Sequence, residues 1–180
     1  MTFNKHLWSS NKMDWGTPQD LFDQLNEELG PIPLDVAAWD WNAKCPAWLT
    51  IFDDALSLDW GWVCRDVLGV PPLVWCNPPY GRQIGKWVAK MRHEAVKHGV
   101  TTVALLPSRT GPKWFHDHIG LKQAGFPNLL TIHPWVREAR LLEGRLRFEG
   151  APNSAPFDSM IVVFGPRGDK KGIEDEISSV

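Results

Sequence analysis

Cysteine is scarce in this chain. Its 180 residues hold three, Cys45, Cys64 and Cys76, and no two stand at the Cys-x-x-Cys spacing, so neither a cysteine-based zinc centre nor a disulfide framework is expected. A reduced, cytoplasmic setting fits that usage. Also missing are a basic leader followed by an apolar stretch and any apolar run near the ~20 residues that span a membrane. The expectation is a soluble, unsecreted protein. No internal repeat and no linker divides the sequence, and a chain of this length is by default one domain able to bury a core without covalent staples.

Charge of one sign is locally missing as well. Between Asp14 and Asp66 eleven acids face only Lys44 and Arg65, whereas from Arg82 to Lys113 seven bases face Glu94 alone. The net charge of −2 conceals this division. It suggests an acidic half suited to a cationic or hydroxyl-bearing ligand and a basic half suited to phosphates, or else two solvated faces. What the chain has in excess is tryptophan, eleven residues, and proline, fifteen. So many tryptophans cannot serve one purpose, and most are expected to pack in the core or at its rim.

Residues 1–14 show no clear period and read as a loose arm. Thr17-Pro18-Gln19-Asp20 reads as a helix start, with Thr17 as cap and Pro18 in the first helical position. Leu21, Phe22, Leu25 and Leu29 then recur at helical spacing until Gly30-Pro31, which predicts a helix over about residues 18–29. Ile32 to Ala38 reads as the first sheet strand, with Asp35 at or near its carboxyl end. Taken alone, that aspartate is either a hydrogen-bonded structural group or a ligand hook. Ile51 to Leu56 repeats the pattern of apolar pair and acid, predicting a second strand that delivers Asp54 to the same edge. Ser57 to Pro72 has no clean period and reads as irregular.

Leu73 to Cys76 is a strand, and residues 83–98 are the strongest helix. Ile84, Trp87, Val88, Met91 and Ala95 line one face of it, while Lys86, Lys90, Arg92 and Lys97 lie off that face, either solvated or turned to nucleic acid. Val100 to Pro107 is a β-rich strand with a proline stop. A basic loop, Ser108 to Lys113, leads to a short helix beginning at Trp114. Strands at Leu129–His133, Leu146–Phe148 and Met160–Phe164 complete the set. The folded unit is expected over residues 15–167, followed by a mobile charged tail at 168–180.

The most informative stretch is Val74-Trp75-Cys76-Asn77-Pro78-Pro79-Tyr80-Gly81. Proline ends a buried strand because it cannot donate to the ladder, and each residue before a proline is pushed toward an extended conformation. The result is a stiff polar turn at a strand's carboxyl end, where open α/β sheets place ligands. Such a turn suits the holding of an exocyclic amino group. The Asn77 side-chain oxygen and the Pro78 carbonyl are two acceptors for one NH2, and Tyr80 offers a ring on which a base can stack.

Asn77-Pro78-Pro79-Tyr80 resembles the amino-methyltransferase signature, and the chain is similar to the phage-type DNA N6-adenine (Dam-like) methyltransferases. The resemblance is carried, in order, by Trp15-Gly16-Thr17-Pro18, Leu34 to Ala38, Asp54-Ala55-Leu56, Asn77 to Gly81, Leu106 to Thr110, Arg145 to Phe148 and Ala155-Pro156-Phe157. It implies a Rossmann-like α/β fold, with a mixed, mostly parallel sheet and helices on both faces, binding S-adenosylmethionine. It implies catalysis at Asn77, Pro78, Pro79 and Tyr80, and cofactor contacts from Trp15, Thr17, Pro18, Asp35, Ala37, Asn42 and Asp54, the last by the adenine amino group or a ribose hydroxyl. A target adenine would be flipped from double-stranded DNA, with Phe157 either clamping its second face or merely packing. No metal is implied. It also implies a phage or prophage protein working in the cytoplasm of a bacterial host.

One departure stands out: where many such enzymes carry a Gly-x-Gly loop after the first strand, this chain has Ala37-Ala38-Trp39-Asp40. No length is left for a separate target-recognition domain, so DNA reading would fall to loops near Gly81–Gly85, Ser108–Lys113 and Pro134–Pro152. Arg82, Lys86, Arg109, Lys113, Arg145 and Arg147 are the candidate DNA contacts, with Arg137 and Arg140 as further ones. The oligomeric state, monomer or weak dimer, is open. Methylation of RNA adenine, cytosine N4 or a protein amide is the alternative within the same chemistry. Outside it stand a non-catalytic DNA-binding module and, more remotely, a nuclease using Asp53, Asp54 and Asp59.

Overall fold

A computed structural model describes residues 15–122 and 130–166; the predicted arm and tail lie outside the described residues. The chain runs α1 (Gln19–Leu29), β1 (Leu34–Asp35), β2 (Ala47–Trp48), α2 (Trp60–Trp62, continued as a π-helix over Val63–Leu68), β3 (Leu73–Cys76), α3 (Ile84–His98) and β4 (Thr101–Pro107). Then come α4 (Lys113–His118), β5 (Gly120–Lys122), β6 (Leu130–Ile132), β7 (Val136–Leu141) and β8 (Ser159–Phe164). Six strands form one sheet in the order β2-β1-β3-β4-β8-β7, and β5 pairs with β6 separately. The first four strands of the large sheet are parallel, β8 runs antiparallel to β4, and β7 antiparallel to β8. This is the mixed, mostly parallel α/β sheet that the resemblance implies.

The centre of the sheet is buried on both sides. Every residue of β8 and all of β4 after Thr101 are buried, although successive side chains point to opposite faces. On one face Phe22 of α1 meets the Trp75 ring edge to face at 5.4 Å. Ile84, Trp87, Val88, Met91 and Ala95 of α3 are buried, as their period predicts. Among the described residues no helix is long and apolar enough to cross a membrane.

Several local expectations are corrected. Residues 51–56 are not a strand: Ile51–Asp53 is a 3₁₀ turn closed by reciprocal Thr50–Asp53 bonds, and Asp54 follows at φ 48°. The strand beside β1 is instead the short β2, whose mixed sequence carries no period. Leu146–Phe148 is not a strand either, and the edge strand is β7, which lies within the stretch expected to be a loop. Its exposure alternates as in a strand with one face toward solvent, although its sequence does not: Arg137, Ala139 and Leu141 are exposed and Glu138 and Arg140 are half-buried. Residues 60–68, expected to be irregular, are helical: Asp59 caps them locally, its Oδ1 accepting from the Trp62 amide at 2.8 Å, and a distant group completes the N-terminus. The fully buried Glu94 accepts at Oε2 from the amides of Trp60 (3.1 Å) and Gly61 (3.4 Å), placing an anion at the α2 N-terminus.

Candidate active site

Strand order reverses between β1 and β3, because the chain leaves β1 outward to β2 and later returns on β1's other side at β3. The crevice at the carboxyl ends of such a pair is where open α/β sheets hold ligands. Asp35 pairs in register with Trp75, and Val36 donates its amide to the Trp75 carbonyl at 3.0 Å. The acid ending β1 and the turn ending β3 are thus neighbours across the switch point.

In that turn the Asn77 amide is held on one side only. Its Nδ2 donates to the Trp15 carbonyl at 2.5 Å and to Thr17 Oγ1 at 3.1 Å, while its Oδ1 is buried without a hydrogen-bond partner. A buried acceptor without a donor is costly, and native structures retain few. Thr17 therefore does not cap α1 as its sequence position predicts. Pro18 occupies the N-cap with no side-chain bond, and Thr17, 2 % exposed, faces Asn77. The strip holding it is pinned: Glu149 donates its amide to the Gly16 carbonyl at 2.8 Å, and Lys44 Nζ bridges Glu149 Oε1 (2.7 Å) and Gln19 Oε1 (2.8 Å). A Cβ at Gly16 would meet Glu149 Cβ at 3.1 Å, so a side chain there would press on Glu149.

Asp35 is buried and accepts from the amides of Ala37 (3.1 Å, Oδ1) and Lys44 (3.2 Å, Oδ2), bracing the loop from β1 to β2. Burial outweighs these bonds and pushes its carboxyl up to about 6. In the same loop Asn42 Oδ1 accepts from the Trp39 amide at 2.7 Å, and the Trp39 and Trp41 rings stack at 5.0 Å. Ala37 and Ala38, half-buried and buried, stand where glycines were the alternative. Asp54 is exposed and accepts from Ser57 Oγ at 2.7 Å. Asp53 bonds Thr50, and Asp59 bonds the Trp62 amide and His98. Each of these three carboxylates serves its own turn, which leaves the nuclease reading without support.

Against Tyr80 and Gly81 of the turn lies a cavity of about 280 Å³ whose lining also includes Trp15, Ile84, Pro107, Arg109, Trp114, Pro156 and Phe157. Tyr80 is buried and donates its hydroxyl to the Leu105 carbonyl at 3.0 Å; burial holds its pKa well above the usual phenol value, so it stays neutral. The Phe157 ring meets Tyr80 edge to face at 5.4 Å and Trp15 at 5.7 Å, with Phe148 beneath at 6.1 Å. Two rings sandwiching a base stand roughly 7 Å apart and parallel, so in this arrangement Phe157 packs and a clamped base would require it to swing. The sequence reading missed Trp114 as a wall of this cavity and the Trp15 carbonyl as a partner of Asn77. Trp15 was legible only as a cofactor neighbour, and a main-chain contact leaves no side-chain signal.

The bases divide. Arg109 is exposed and lies over the Phe157 ring at 5.9 Å, at the cavity mouth. Arg82 and Lys86 are exposed near the same turn. Lys113 pairs with Asp117 at 2.6 Å, Arg145 approaches Asp158 at 3.8 Å, and Arg147 donates to the Ala151 carbonyl at 3.3 Å, all on exposed side chains. The basic face expected on α3 is smaller than its sequence suggests: Lys90 is held by Glu94 and the Leu58 carbonyl, and Arg92 lies over the Trp135 ring at 4.1 Å. Arg140 is chelated by Glu28 and Glu138, and Arg137 lines a separate cavity with Pro72 and Gly99 at the strands' amino ends. Neither sits at the turn. A cluster of metal-capable side chains, His93, Glu94 and His98, ends α3. Its Glu94 is already engaged by Lys90 and two amides.

The sheet order and the Asn-Pro-Pro-Tyr turn at its switch point define a methyltransferase-type α/β domain. The family model described as DNA N-6-adenine-methyltransferase (Dam) matches residues 4–159, and the chain belongs to that family. It is also 38 % identical over 66 residues to the Escherichia coli (strain K12) protein named "Putative methyltransferase YfdM", a match covering 37 % of this chain and 69 % of that protein.

Proposed function

We propose that the protein transfers the methyl group of S-adenosylmethionine to the exocyclic N6 of an adenine flipped out of double-stranded DNA at a defined sequence. The observation that carries this reading is the Asn77 amide, whose buried Oδ1 is the one atom of that side chain without a partner. Beside it the Pro78 carbonyl supplies a second acceptor of the kind an amino group needs. Accepting both N–H hydrogens turns the nitrogen lone pair away from the turn, toward the switch-point crevice. The cofactor, when bound, supplies an electrophilic methyl on a cationic sulfur. The residues beside the turn fit such a group: the Asp35 carboxylate ends the neighbouring strand, and the Lys44 ammonium of the loop that follows it is tied to Gln19 and Glu149. Work by placement and charge complementarity then replaces acid–base chemistry, consistent with the neutral Tyr80.

Arg109, Arg82 and Lys86 around the cavity mouth are the bases this reading sets against DNA phosphates or base edges. The test is incubation of the protein with plasmid DNA and labelled S-adenosylmethionine, followed by hydrolysis and nucleoside analysis. N6-methyladenine is expected with the native chain and a loss of at least 100-fold with Asn77→Ala. Label in cytosine, in RNA only or in protein would replace the proposed substrate, and no transfer at all would refute the reading.

A further inference from the structure

We infer that Thr17, together with the main-chain carbonyl of Trp15, is a positioning group that makes the Asn77 side chain a pure acceptor. The inference rests on the function proposed above and deepens it. A free asparagine amide presents two donors and one acceptor oxygen, and rotation by 180° exchanges them. A substrate amino group needs an acceptor, and an Nδ2 hydrogen turned toward it would repel it. Here both hydrogens of Nδ2 have a destination, the Trp15 carbonyl at 2.5 Å and Thr17 Oγ1 at 3.1 Å. The carbonyl can only accept, so it sets which way the amide faces. Thr17 takes the second hydrogen, so no donor is left to point into the site, and Oδ1 is the remaining free function.

Thr17 has no other assignment in the fold. It is 2 % exposed, does not cap α1, and is separated by 60 positions from the residue it touches. The strip that carries it is clamped by the Gly16–Glu149 bridge and the Lys44 bonds, which fixes the distance on which the contact depends. A direct cofactor contact by Thr17, as the family resemblance implies, makes a different prediction. It would raise the KM for S-adenosylmethionine, whereas misorientation of Asn77 lowers kcat.

The experiment compares Thr17→Val, which keeps shape and removes the hydroxyl, with Thr17→Ser, which keeps the hydroxyl. Steady-state methylation is measured on DNA carrying the site mapped for the native protein. For T17V the turnover number should fall at least tenfold while the KM for S-adenosylmethionine stays within twofold of native, and T17S should recover to within about threefold. A second readout needs no activity: in ¹⁵N-labelled protein without cofactor, the Asn77 side-chain NH2 protons should exchange faster with solvent in T17V than in native or T17S protein. An unchanged turnover number and exchange rate in a folded T17V, or a rise in KM alone, would overturn the inference and leave the methyltransferase reading standing. An inactive native protein would instead remove the reading, with the exchange experiment still deciding whether Thr17 orients the amide.

Discussion

Asp35 provides the most quantitative test of this site. Its carboxyl has an ordinary value of 3.8 and is pushed up to about 6 in the fold, because burial outweighs the two amides it accepts from. A raised folded value means that the native state holds the proton more tightly than the unfolded chain. The corresponding stability is fully present below 3.8 and is lost as pH rises through about 6. At about 1.4 kcal/mol per unit the difference amounts to about 3 kcal/mol. The perturbation is D35N, which removes the titration at a fixed cost, because its Nδ2 cannot accept from one of the two amides that the carboxylate accepts from. Urea denaturation of both proteins at pH 4, 5, 6 and 7 should show the stability difference moving by about 3 kcal/mol in favour of D35N between the acid end and pH 7, on top of the fixed cost of the lost amide bond. Parallel profiles, or a native protein that gains on D35N as pH rises, would refute the argument. If the proposed cofactor sits in this crevice, its affinity should weaken below about pH 6 in the native protein, as the carboxylate facing its cationic groups protonates, and D35N should be weak throughout.

Glu94 is fully buried and holds Lys90 and two α2 amides, so Glu94→Ala should cost about 3 kcal/mol in urea denaturation, by leaving those two amides without their acceptor and the half-buried Lys90 with the Leu58 carbonyl alone. Arg109→Ala should weaken DNA binding and reduce its slope against log salt by about one, measured by fluorescence anisotropy across a salt series. In the same assay Arg140→Ala should leave DNA affinity unchanged, because its guanidinium is already chelated by Glu28 and Glu138.

Elements built from local rules were legible. α1 and α3 follow from apolar residues at helical spacing, and β3, β4 and β8 from apolar runs bounded by proline or turn formers. Elements completed by distant partners were not. Asp59 caps the helix at 60–68 locally, but the Glu94 carboxylate that takes its first two amides lies 34 positions from Trp60 in the chain. β7 hid because its residues do not alternate in polarity: after a bulge at Val136–Glu138, the charged Glu138 and Arg140 take the half-buried positions while Ala139 and Leu141 are exposed. Asp54 was expected on a strand because an apolar pair precedes it, yet Ile51 and Phe52 are exposed on a 3₁₀ turn.

The stiff Asn77-Pro78-Pro79-Tyr80 turn at the end of a buried strand is written in the order of residues alone, since proline restricts both its own backbone and that of the residue before it. The resemblance that named the family is written there too. Which face of the Asn77 amide is free depends instead on the folded chain, through a main-chain carbonyl and a hydroxyl some sixty positions earlier. So does the fate of the bases, because an arginine's place in the sequence does not reveal whether a carboxylate or a ring will reach it first. Local chemistry sets what a residue can offer; burial and long-range packing set which of its atoms remain available to a substrate.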